Sequence, residues 1–484
     1  MSEEKRKKLL DRIEQLIEKN DFEELRQVLA ESHSSDVAEV MEVLDELARQ
    51  ILFDLLDPRE AGAVLEKIDE ATRSELVEDL SSEELTDIVA TLPPDEAADV
   101  IAEMSDEQTE KILEQMPKEE SAQIEKLLRY PDDCAGGIMT TELVKVNLND
   151  TIRVAIERFQ QADPNEDFYH VFVVDDQGRL QGSVDLVRLL RFPQDTPIQK
   201  VLDKDIHSVE VHTDQEEIAN IFRKNDLIVM PVVDQNGVLL GRITVDDVVD
   251  VIGEEAEEDA LVMAGTHPDE LGTHRIFTAA RIRITWLMTC LIGYSAYLLI
   301  YNIYRNYFTL TEWTSILMFA PIIAAMGGNS GLQTSTIVVR GLATGNLAAL
   351  NLFQVFFRES RIALIIAMTF GIFTGGIATM VLHVTNSNSS NYVANALADI
   401  PGESVPEKPV NPVLLGFAVG IAMFIGIMLA TTLGLVLPFL FRKIGIDPAI
   451  SSGPFITTAN DSLGCITYFS LALLMLHFFG HLFG

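Results

Sequence analysis

The chain has 484 residues, and its charge differs sharply between two parts. Residues 1–274 contain 67 of the 74 acidic and 26 of the 36 basic residues, whereas residues 275–484 contain 7 acidic and 10 basic residues. The negative electrostatic field of residues 1–274 repels nucleic acid and anionic lipid and concentrates cations. Nucleic-acid binding by this part is therefore excluded. The three cysteines have no paired or metal-ligand spacing, so we expect free thiols. The N-terminal residues begin an amphipathic helix pattern rather than an apolar signal core, so we expect no cleaved signal peptide.

A 12-residue repeat occupies residues 56–121. Each copy starts with an apolar residue, continues with a capping residue or a proline, and then has acidic residues suited to a first helical turn. Ser81 and Glu84 have the spacing of a capping box. Short helices that repeat at a fixed period stack into a superhelix. The pattern therefore predicts an all-α superhelical N-terminal domain over residues 1–131, most of whose acidic side chains are solvated.

Two related α/β segments follow, at a constant offset of 59 residues. Residues 173–184 align with residues 232–243, and each copy predicts a strand, a glycine-containing turn, a second strand and a helix. The pair resembles a tandem of CBS domains, which pack together as a pseudo-two-fold module. We assign the two repeats to residues 138–200 and 201–253.

Eight carboxylates crowd the fourteen residues 246–259. Like charges at helical spacing repel each other, and a divalent cation with a preference for oxygen ligands, such as Mg²⁺ or Ca²⁺, would relieve the repulsion. The alternative is an acidic helix that is merely solvated. We expect a connecting helix over residues 254–274. The candidate metal ligands of this segment are Asp247, Asp250, Glu254, Glu258 and Asp259.

The second part of the chain, residues 275–484, predicts a transmembrane domain. About 20 apolar residues cross a bilayer as a helix. Arginine and lysine residues near the span ends favour one side, so the N-terminal part is expected in the cytoplasm and the C-terminus outside. The Asn- and Ser-rich residues 385–410 suit an exterior loop. The predicted spans are residues 284–304, 313–339, 359–384, 411–441 and 451–481.

Two spans contain polar groups that are costly in lipid. Asn329 and Gln333 lie one helical turn apart in the second span, so both amides share a face. Asp461 places a carboxylate inside the fifth span, and such residues usually mark an ion path. The alternative is a carboxylate that is protonated or hydrogen-bonded to a neighbouring helix. The candidate ligands of a cation pathway are Asp461, Thr457, Thr458, Asn460, Gly453, Asn329 and Gln333.

These features resemble the MgtE family of magnesium channels. The resemblance rests on Gly-Gly-Asn-x-Gly-x-Gln at residues 327–333 and Gly-Pro-Phe-x-Thr-Thr-x-x-Asp at residues 453–461. It implies a multidomain fold with an all-α cytosolic superhelix, an α/β tandem CBS module, a connecting plug helix and a five-helix transmembrane bundle.

The same resemblance implies a function. The chain would form a homodimer in the plasma membrane of a bacterium and import Mg²⁺ through a pore lined by the second and fifth spans, with Asp461 as the pore aspartate. Cytosolic Mg²⁺ would close the pore. The carboxylates that the family uses to sense Mg²⁺ fall on or near Asp95, Asp99, Asp226, Asp247, Asp250, Glu258 and Asp259.

Three other functions compete with this one. A transporter of Mn²⁺ or Co²⁺ would have the same architecture, but softer ligands are not clustered around Asp461. A CBS-regulated anion channel conflicts with the acidic N-terminal part. An enzyme would need a nucleophile or a metal triad beside Asp461, and none is evident in the sequence, so we predict that the chain is not an enzyme. Residues 185–188 depart from the family pattern, which argues against adenine nucleotide in the CBS cleft.

Overall fold

The computed structural model describes residues 3–102, 104–162, 168–270, 276–344, 352–397, 410–451 and 453–479. Its contacts divide the chain into two compact units, Met1–Glu255 and Ala256–Gly484. The first unit contains the helical and α/β parts, and the second contains the apolar helices.

The N-terminal part of the first unit consists of short helices, as the 12-residue period predicts. Six successive helices begin 12 residues apart, from Pro58 to Lys118. Ser81 and Glu84 form the expected capping box. The inward-facing apolar side chains, such as Leu65 and Ile101, are completely buried and hold consecutive helices together. The helices described are α1 (Glu3–Lys19), α2 (Phe22–Glu31), α3 (Ser34–Met41), α4 (Glu46–Phe53), α5 (Pro58–Leu65), α6 (Glu70–Asp79), α7 (Ser82–Val89), α8 (Pro94–Ala102), α9 (Asp106–Gln115) and α10 (Lys118–Leu127).

The rest of the first unit is a pair of matching α/β repeats. In each repeat a short strand pairs in parallel with the first strand of a hairpin, whose second strand is antiparallel. Gly178 and Gly237 occupy the two hairpin turns with positive φ values of 76° and 79°, which glycine adopts without strain. The strands are β1 (Lys145–Asn147), β2 (His170–Val174), β3 (Leu180–Asp185), β4 (Val209–Glu210), β5 (Val229–Val233) and β6 (Leu239–Thr244). The helices are α11 (Ile152–Gln161), α12 (Leu186–Arg191) and α13 (Gln215–Asn225), followed by α14 (Val245–Ala264), whose residues from Ala256 onward belong to the second unit.

Helix α14 differs from the predicted connecting helix. It starts directly after β6 and continues without a break past residue 254, so the acidic segment is part of one 20-residue helix. It ends at Ala264, before the expected end at residue 274, because Gly265 adopts a φ of 85° that terminates the helix. A 3₁₀ turn, Pro268–Glu270, follows, and residues 271–275 lie outside the described part.

The second unit contains helices that are long and apolar enough to cross a membrane, and the described residues form five such spans. The prediction of five spans is therefore confirmed. The spans are Ile276–Arg305, Leu310–Ala343, Phe353–Asn386, Pro412–Lys443 and Pro448–Phe478. Their helices are α15 (Ile276–Arg305), α16 (Leu310–Leu317), α17 (Ala320–Ala343), α18 (Leu352–Leu397), α19 (Pro412–Lys443) and α20 (Gly453–Leu473); a 3₁₀ turn (Pro448–Ser451) precedes α20 and a π-helical turn (Leu474–Phe479) follows it.

Two details of the spans correct the sequence-based prediction. The second span is two helices, because α16 ends at Leu317 and α17 starts at Ala320, with Pro321 in its first turn. Residues 385–397, predicted as an exterior loop, continue helix α18. Asparagine and serine lower helix propensity only slightly, so a helix that is already formed extends through them. Residues 398–409 and 480–484 lie outside the described part.

Glycines let the membrane helices approach closely. A Cβ atom on Gly371 or Gly375 of α18 would come within 2.9 Å of a backbone carbonyl oxygen of α19. A Cβ atom on Gly434 of α19 would collide with the carbonyl oxygen of Gly331 on α17. Helix α19 therefore packs backbone to backbone against both α17 and α18.

Candidate ion pathway and acidic clusters

Asp461 lies two turns into helix α20, where it faces both α15 and α17. Its side chain is partly buried. The hydroxyl of Tyr294 on α15 donates a hydrogen bond to its Oδ2 at 3.1 Å. Its Oδ1 lies next to Gly328 on α17, where an added Cβ atom would be 3.8 Å away. The two carboxylate oxygens therefore have different surroundings, a tyrosine hydroxyl on one side and a glycine on the other.

Thr457 and Thr458 precede Asp461 by about one turn and are partly buried. The Thr457 hydroxyl donates to the carbonyl oxygen of Gly453 at 2.9 Å, and the Thr458 hydroxyl donates to that of Pro454 at 2.7 Å. Each hydroxyl has used its hydrogen and keeps lone pairs that accept hydrogen bonds. Acceptors suit the water molecules of a hydrated cation, whose hydrogens point outward, so both threonines are compatible with the predicted pathway.

Asn460 is placed differently from its neighbour Asp461. Only 4% of its surface is exposed, and its amide nitrogen packs against the backbone of Gly331. Within the described residues this nitrogen has no hydrogen-bond partner. The structure thus separates Asn460 from the group around Asp461 and locates it in the contact between α17 and α20.

Asn329 and Gln333 lie on one exposed face of helix α17, as their spacing predicts. Ile337 continues this face and is 53% exposed. Amides exposed on a membrane-spanning helix require polar surroundings, either another protein chain or water. This face therefore marks a side of α17 that lipid alone does not cover.

The beginning of α20 contacts the end of α14. Gly453 has a φ of 53° and lies against the backbone carbonyl of Met263, so a side chain at position 453 would collide with that oxygen. A Cβ atom on Gly265 would come within 2.7 Å of the Pro454 ring. Val262 packs in the same place, with Val339 of α17 and Ala449. The last turn of α14 is thus fitted to the Gly453-Pro454 end of the helix that contains Asp461.

A pair of carboxylates lies near this contact. Burial and the negative charges of Asp447 and Glu258 raise the pKa of Asp259 to about 6, against a smaller opposing effect of Arg340. Burial also raises the pKa of Asp447, whose side chain accepts a hydrogen bond from the Ala449 amide at 2.8 Å. Asp259 is partly buried and Asp447 is exposed overall; two carboxylates that repel each other in this way offer a place for a cation.

The first unit contains a second acidic cluster around Glu96 on α8. Burial, followed by the charges of Glu66, Asp95 and Asp99, raises the pKa of Glu96 to about 9. Lys67 forms an ion pair with Glu66 at 2.5 Å. Burial alone would lower the pKa of Lys67, but this ion pair and the charges of Glu96 and Asp250 together raise it. Asp250 of α14 therefore lies in the electrostatic neighbourhood of α8, together with the predicted residues Asp95 and Asp99.

The other predicted regulatory residues of the first unit lie apart from this cluster or have another structural role. Asp247 accepts hydrogen bonds from the Thr244 hydroxyl at 2.6 Å and the Thr244 amide at 3.3 Å, so it caps the start of α14. Burial raises the pKa of Asp247. Asp226 is exposed and ends α13 with a φ of 52°. Glu254 is exposed on α14.

In the part of the chain that the structure describes, no three His, Cys, Asp or Glu side chains are arranged to hold a metal ion. Mg²⁺ typically binds through one or two carboxylates and keeps several water molecules. Pairs such as Asp259 with Asp447 fit that kind of binding by their chemistry, whereas a fully protein-ligated metal centre does not fit these residues.

The sequence-based prediction missed Tyr294, Asp447, Glu96 and Lys67. Asp447 is the one carboxylate between the fourth and fifth spans, which was a usable signal. Glu96 stands between two predicted ligands and was assigned to the solvated acids. Tyr294 gave no signal, because its partner Asp461 is 167 residues away in the sequence.

A membrane domain of five spans, one of which carries a partly buried carboxylate, together with paired CBS-like repeats, has the features of a membrane cation transporter. Family models match the chain in four places: an MgtE divalent cation transporter domain over residues 320–471, an MgtE intracellular N domain over 32–133, and CBS domains over 135–195 and 198–254.

Two curated relatives agree. The magnesium transporter MgtE of Enterococcus faecalis is 34% identical over 360 residues, which cover 74% of this chain and 72% of that protein. The magnesium transporter MgtE of Thermus thermophilus is 31% identical, with 73% of each chain covered. The chain belongs to the MgtE family of magnesium transporters, a family of membrane transporters and not of enzymes.

A solved structure of the cytosolic domain of the Mg²⁺ channel MgtE in complex with ATP is 31% identical and covers 49% of this chain and 98% of that one, with a TM-score of 0.47. The sequence-based argument that residues 185–188 disfavour adenine nucleotide in the CBS cleft of the present chain stays untested.

Proposed function

We propose that this chain is a homodimeric channel that imports Mg²⁺ across the plasma membrane of a bacterium and is closed by Mg²⁺ on the cytoplasmic side. The observation that carries the proposal is Asp461, a partly buried carboxylate in the fifth span beside Gly328 of the second span. An ionisable side chain at the centre of a span costs about 2.5 to 3.5 kcal/mol on insertion scales. A carboxylate in such a position therefore supports an ion path.

The chemistry around Asp461 favours a hydrated ion. Thr457 and Thr458 offer hydroxyl acceptors rather than a closed cage of charged ligands. Mg²⁺ releases its water reluctantly, and a conducting site must bind weakly enough for the ion to leave. One carboxylate per chain, with acceptors for the surrounding water, meets both requirements.

The homodimer rests on the exposed amides of Asn329 and Gln333. A second copy of the chain that covers this face of α17 would remove the amides from lipid and would bring two Asp461 carboxylates to a common axis. The orientation rests on arginine and lysine residues. Arg281, Arg283 and Arg340 belong to the side that also holds residues 442–443, and this side is cytoplasmic by the positive-inside rule.

Closure rests on the packing of α14 against the start of α20. Asp259 and Asp447 repel each other beside that contact, so the contact is weakened when no cation is present. Mg²⁺ that binds between them stabilises the packed state, and the end of α14 then holds the Gly453-Pro454 end of the pore helix. In the first unit, repulsion among Glu96, Asp95, Asp99 and Asp250 is likewise relieved by bound Mg²⁺, which stabilises the packed state of that unit. A ligand that binds one state better shifts the population toward it.

The test is Mg²⁺ flux into proteoliposomes that contain the full chain, with low or high Mg²⁺ on the cytoplasmic face. We expect flux in the wild type, a decrease when cytoplasmic Mg²⁺ is high, and no flux in Asp461→Ala. Unchanged flux in Asp461→Ala would reject the pore assignment. Flux of Mn²⁺ or Co²⁺ without flux of Mg²⁺ would reject the substrate and favour the alternative transporter of another divalent cation.

A further inference from the structure

Asp461 is held by a side chain outside the two spans proposed to line the pore. The Tyr294 hydroxyl of α15 donates to its Oδ2 at 3.1 Å, although the Tyr294 side chain is 48% exposed. Helices α15 and α20 approach closely at this height, because Gly293 lies directly against the Thr458 methyl group. The bond therefore joins the first span to the fifth at the proposed pore carboxylate.

The bond makes the two oxygens of Asp461 unequal. Oδ2 already accepts a hydrogen bond, whereas Oδ1 lies beside Gly328, which has no side chain of its own and against which the Thr457 methyl group packs. At the neighbouring Gly327, no atom lies within 4 Å of the place that a Cβ atom would occupy. A carboxylate held in this way presents one oxygen to an ion and does not turn freely to present both.

Divalent cations differ in whether they bind one or both oxygens of a carboxylate. Ca²⁺ accepts bidentate carboxylates in a flexible shell, whereas Mg²⁺ keeps several waters and binds through single oxygens or through its water. Building on the pore role proposed for Asp461, we propose that Tyr294 is a selectivity-determining positioning residue: it holds Oδ2 of Asp461 and thereby prevents bidentate binding of Ca²⁺ in the Mg²⁺ path.

The chain offers a matched control on the same pair of helices. The Tyr304 hydroxyl of α15 and the Ser470 hydroxyl of α20 are 2.6 Å apart, and Tyr304 is about 15 Å along the helix from Tyr294. Tyr294→Phe and Tyr304→Phe each remove one hydroxyl bond between the same helices, but only the first touches Asp461. A loss of helix pairing affects both variants, and a loss of carboxylate positioning affects only Tyr294→Phe.

The experiment measures Mg²⁺ flux in proteoliposomes of the full chain while Ca²⁺ is added as a competitor. We expect Tyr294→Phe to conduct Mg²⁺ and to be blocked by Ca²⁺ at a concentration about fivefold or more below that needed for the wild type, because a hydrogen bond to a charged group is worth at least that ratio. We expect Tyr304→Phe to match the wild type.

Equal sensitivity to Ca²⁺ in both variants, or no change in either, would overturn the assignment of Tyr294. Asp461→Ala separates this outcome from failure of the proposed function. If Asp461→Ala is inactive and Tyr294→Phe equals Tyr304→Phe, the pore carboxylate stands and only the role of Tyr294 is lost. If Asp461→Ala conducts normally, both proposals fail.

Discussion

The carboxylates of the two units are arranged in opposite ways. In the membrane domain, Asp461 is a single acid with one tyrosine donor and a glycine beside it. In the first unit, Glu96 is surrounded by Glu66, Asp95 and Asp99, and their charges add to burial in raising its pKa to about 9. The first arrangement is low in charge and fixed by packing, whereas the second is crowded with like charges.

The difference indicates what each arrangement is suited to do. A single positioned carboxylate attracts a cation without trapping it, which is what conduction requires. Crowded carboxylates make the folded arrangement depend on whether a cation is bound, which is what a sensor requires. We therefore expect Mg²⁺ flux to depend most on the position of the carboxylate at Asp461. We expect the response to cytoplasmic Mg²⁺ to depend most on the number of negative charges in the clusters.

Among changes that keep the charge of a carboxylate, the largest effect is expected where the charge is moved at Asp461. Asp461→Glu displaces the carboxylate by about 1.5 Å, the length of one carbon–carbon bond. The Tyr294 bond is then lost and the acid is pushed toward Gly328, so we expect Mg²⁺ flux to fall about tenfold or more. Asp250→Glu, on exposed surface near Lys67, should leave flux within about twofold of the wild type. Equal tolerance of both changes would contradict the contrast between position and charge.

Packing of the membrane helices gives the second prediction. A Cβ atom on Gly331 would collide with the Asn460 amide and come within 3.2 Å of the Ala430 carbonyl oxygen. Gly331→Ala should therefore destabilise the membrane domain by about 1–3 kcal/mol, the usual cost of overpacking. Gly327→Ala on the same helix has open space, and so has Gly253→Ala in the acidic helix α14. Of the three substitutions, Gly331→Ala alone should lower the unfolding temperature of the full chain in detergent. Gly253→Ala should stabilise helix α14 slightly.

The features that follow from short-range pattern were predictable from the sequence. The 12-residue period gave the starts of the helices from Pro58 to Lys118, and the 59-residue offset gave the paired hairpins β2–β3 and β5–β6. Apolar length gave the number of spans. Each of these depends on residues within one or two turns or one hairpin, where local chemistry decides.

The features that depend on distant residues were not predictable in the same way. The Tyr294–Asp461 bond and the proximity of Asp259 to Asp447 each join residues more than 150 positions apart. The inward orientation of Asn460 is set by Gly331 on another helix. The break between α16 and α17 was missed because Pro321 begins a helix there instead of interrupting one.

The third prediction removes one charge from the pair of carboxylates beside the start of α20. Asp447→Asn keeps an oxygen that accepts the Ala449 amide, so the 3₁₀ turn at Pro448–Ser451 should persist. With the negative charge gone, Asp259 loses a neighbour that raises its pKa, and a bound cation loses a ligand. We expect the cytoplasmic Mg²⁺ concentration that halves flux to rise about threefold, in keeping with a modest contribution from each partly exposed charge. Asp45→Asn is the control, because it keeps the cap of α4 in the same way. It should leave the cytoplasmic Mg²⁺ concentration that halves flux unchanged.

The smallest expected effect concerns the pH dependence of the cluster around Glu96. The pKa of Glu96 in the folded chain is about 9, above its ordinary value of 4.5, so the folded state holds a proton that the unfolded state releases between these values. Stability of α8 should therefore decrease as pH rises from 6 to 9, and added Mg²⁺ should reduce the decrease. Glu96→Gln should remove most of this slope.

Hydrogen exchange of the α8 amides in the full chain measures this slope, because protection reports the free energy of local opening. Glu84→Gln is the control: the Ser81 hydroxyl and amide lower the pKa of Glu84, so its charge contributes above pH 4.5 and does not change between pH 6 and 9. A slope that persists in Glu96→Gln would mean that other acids of the cluster titrate in this range. A wild-type slope that Mg²⁺ leaves unchanged would place the sensing of Mg²⁺ at Asp259 and Asp447 alone, because the charge crowding at α8 would then have no ion to relieve it.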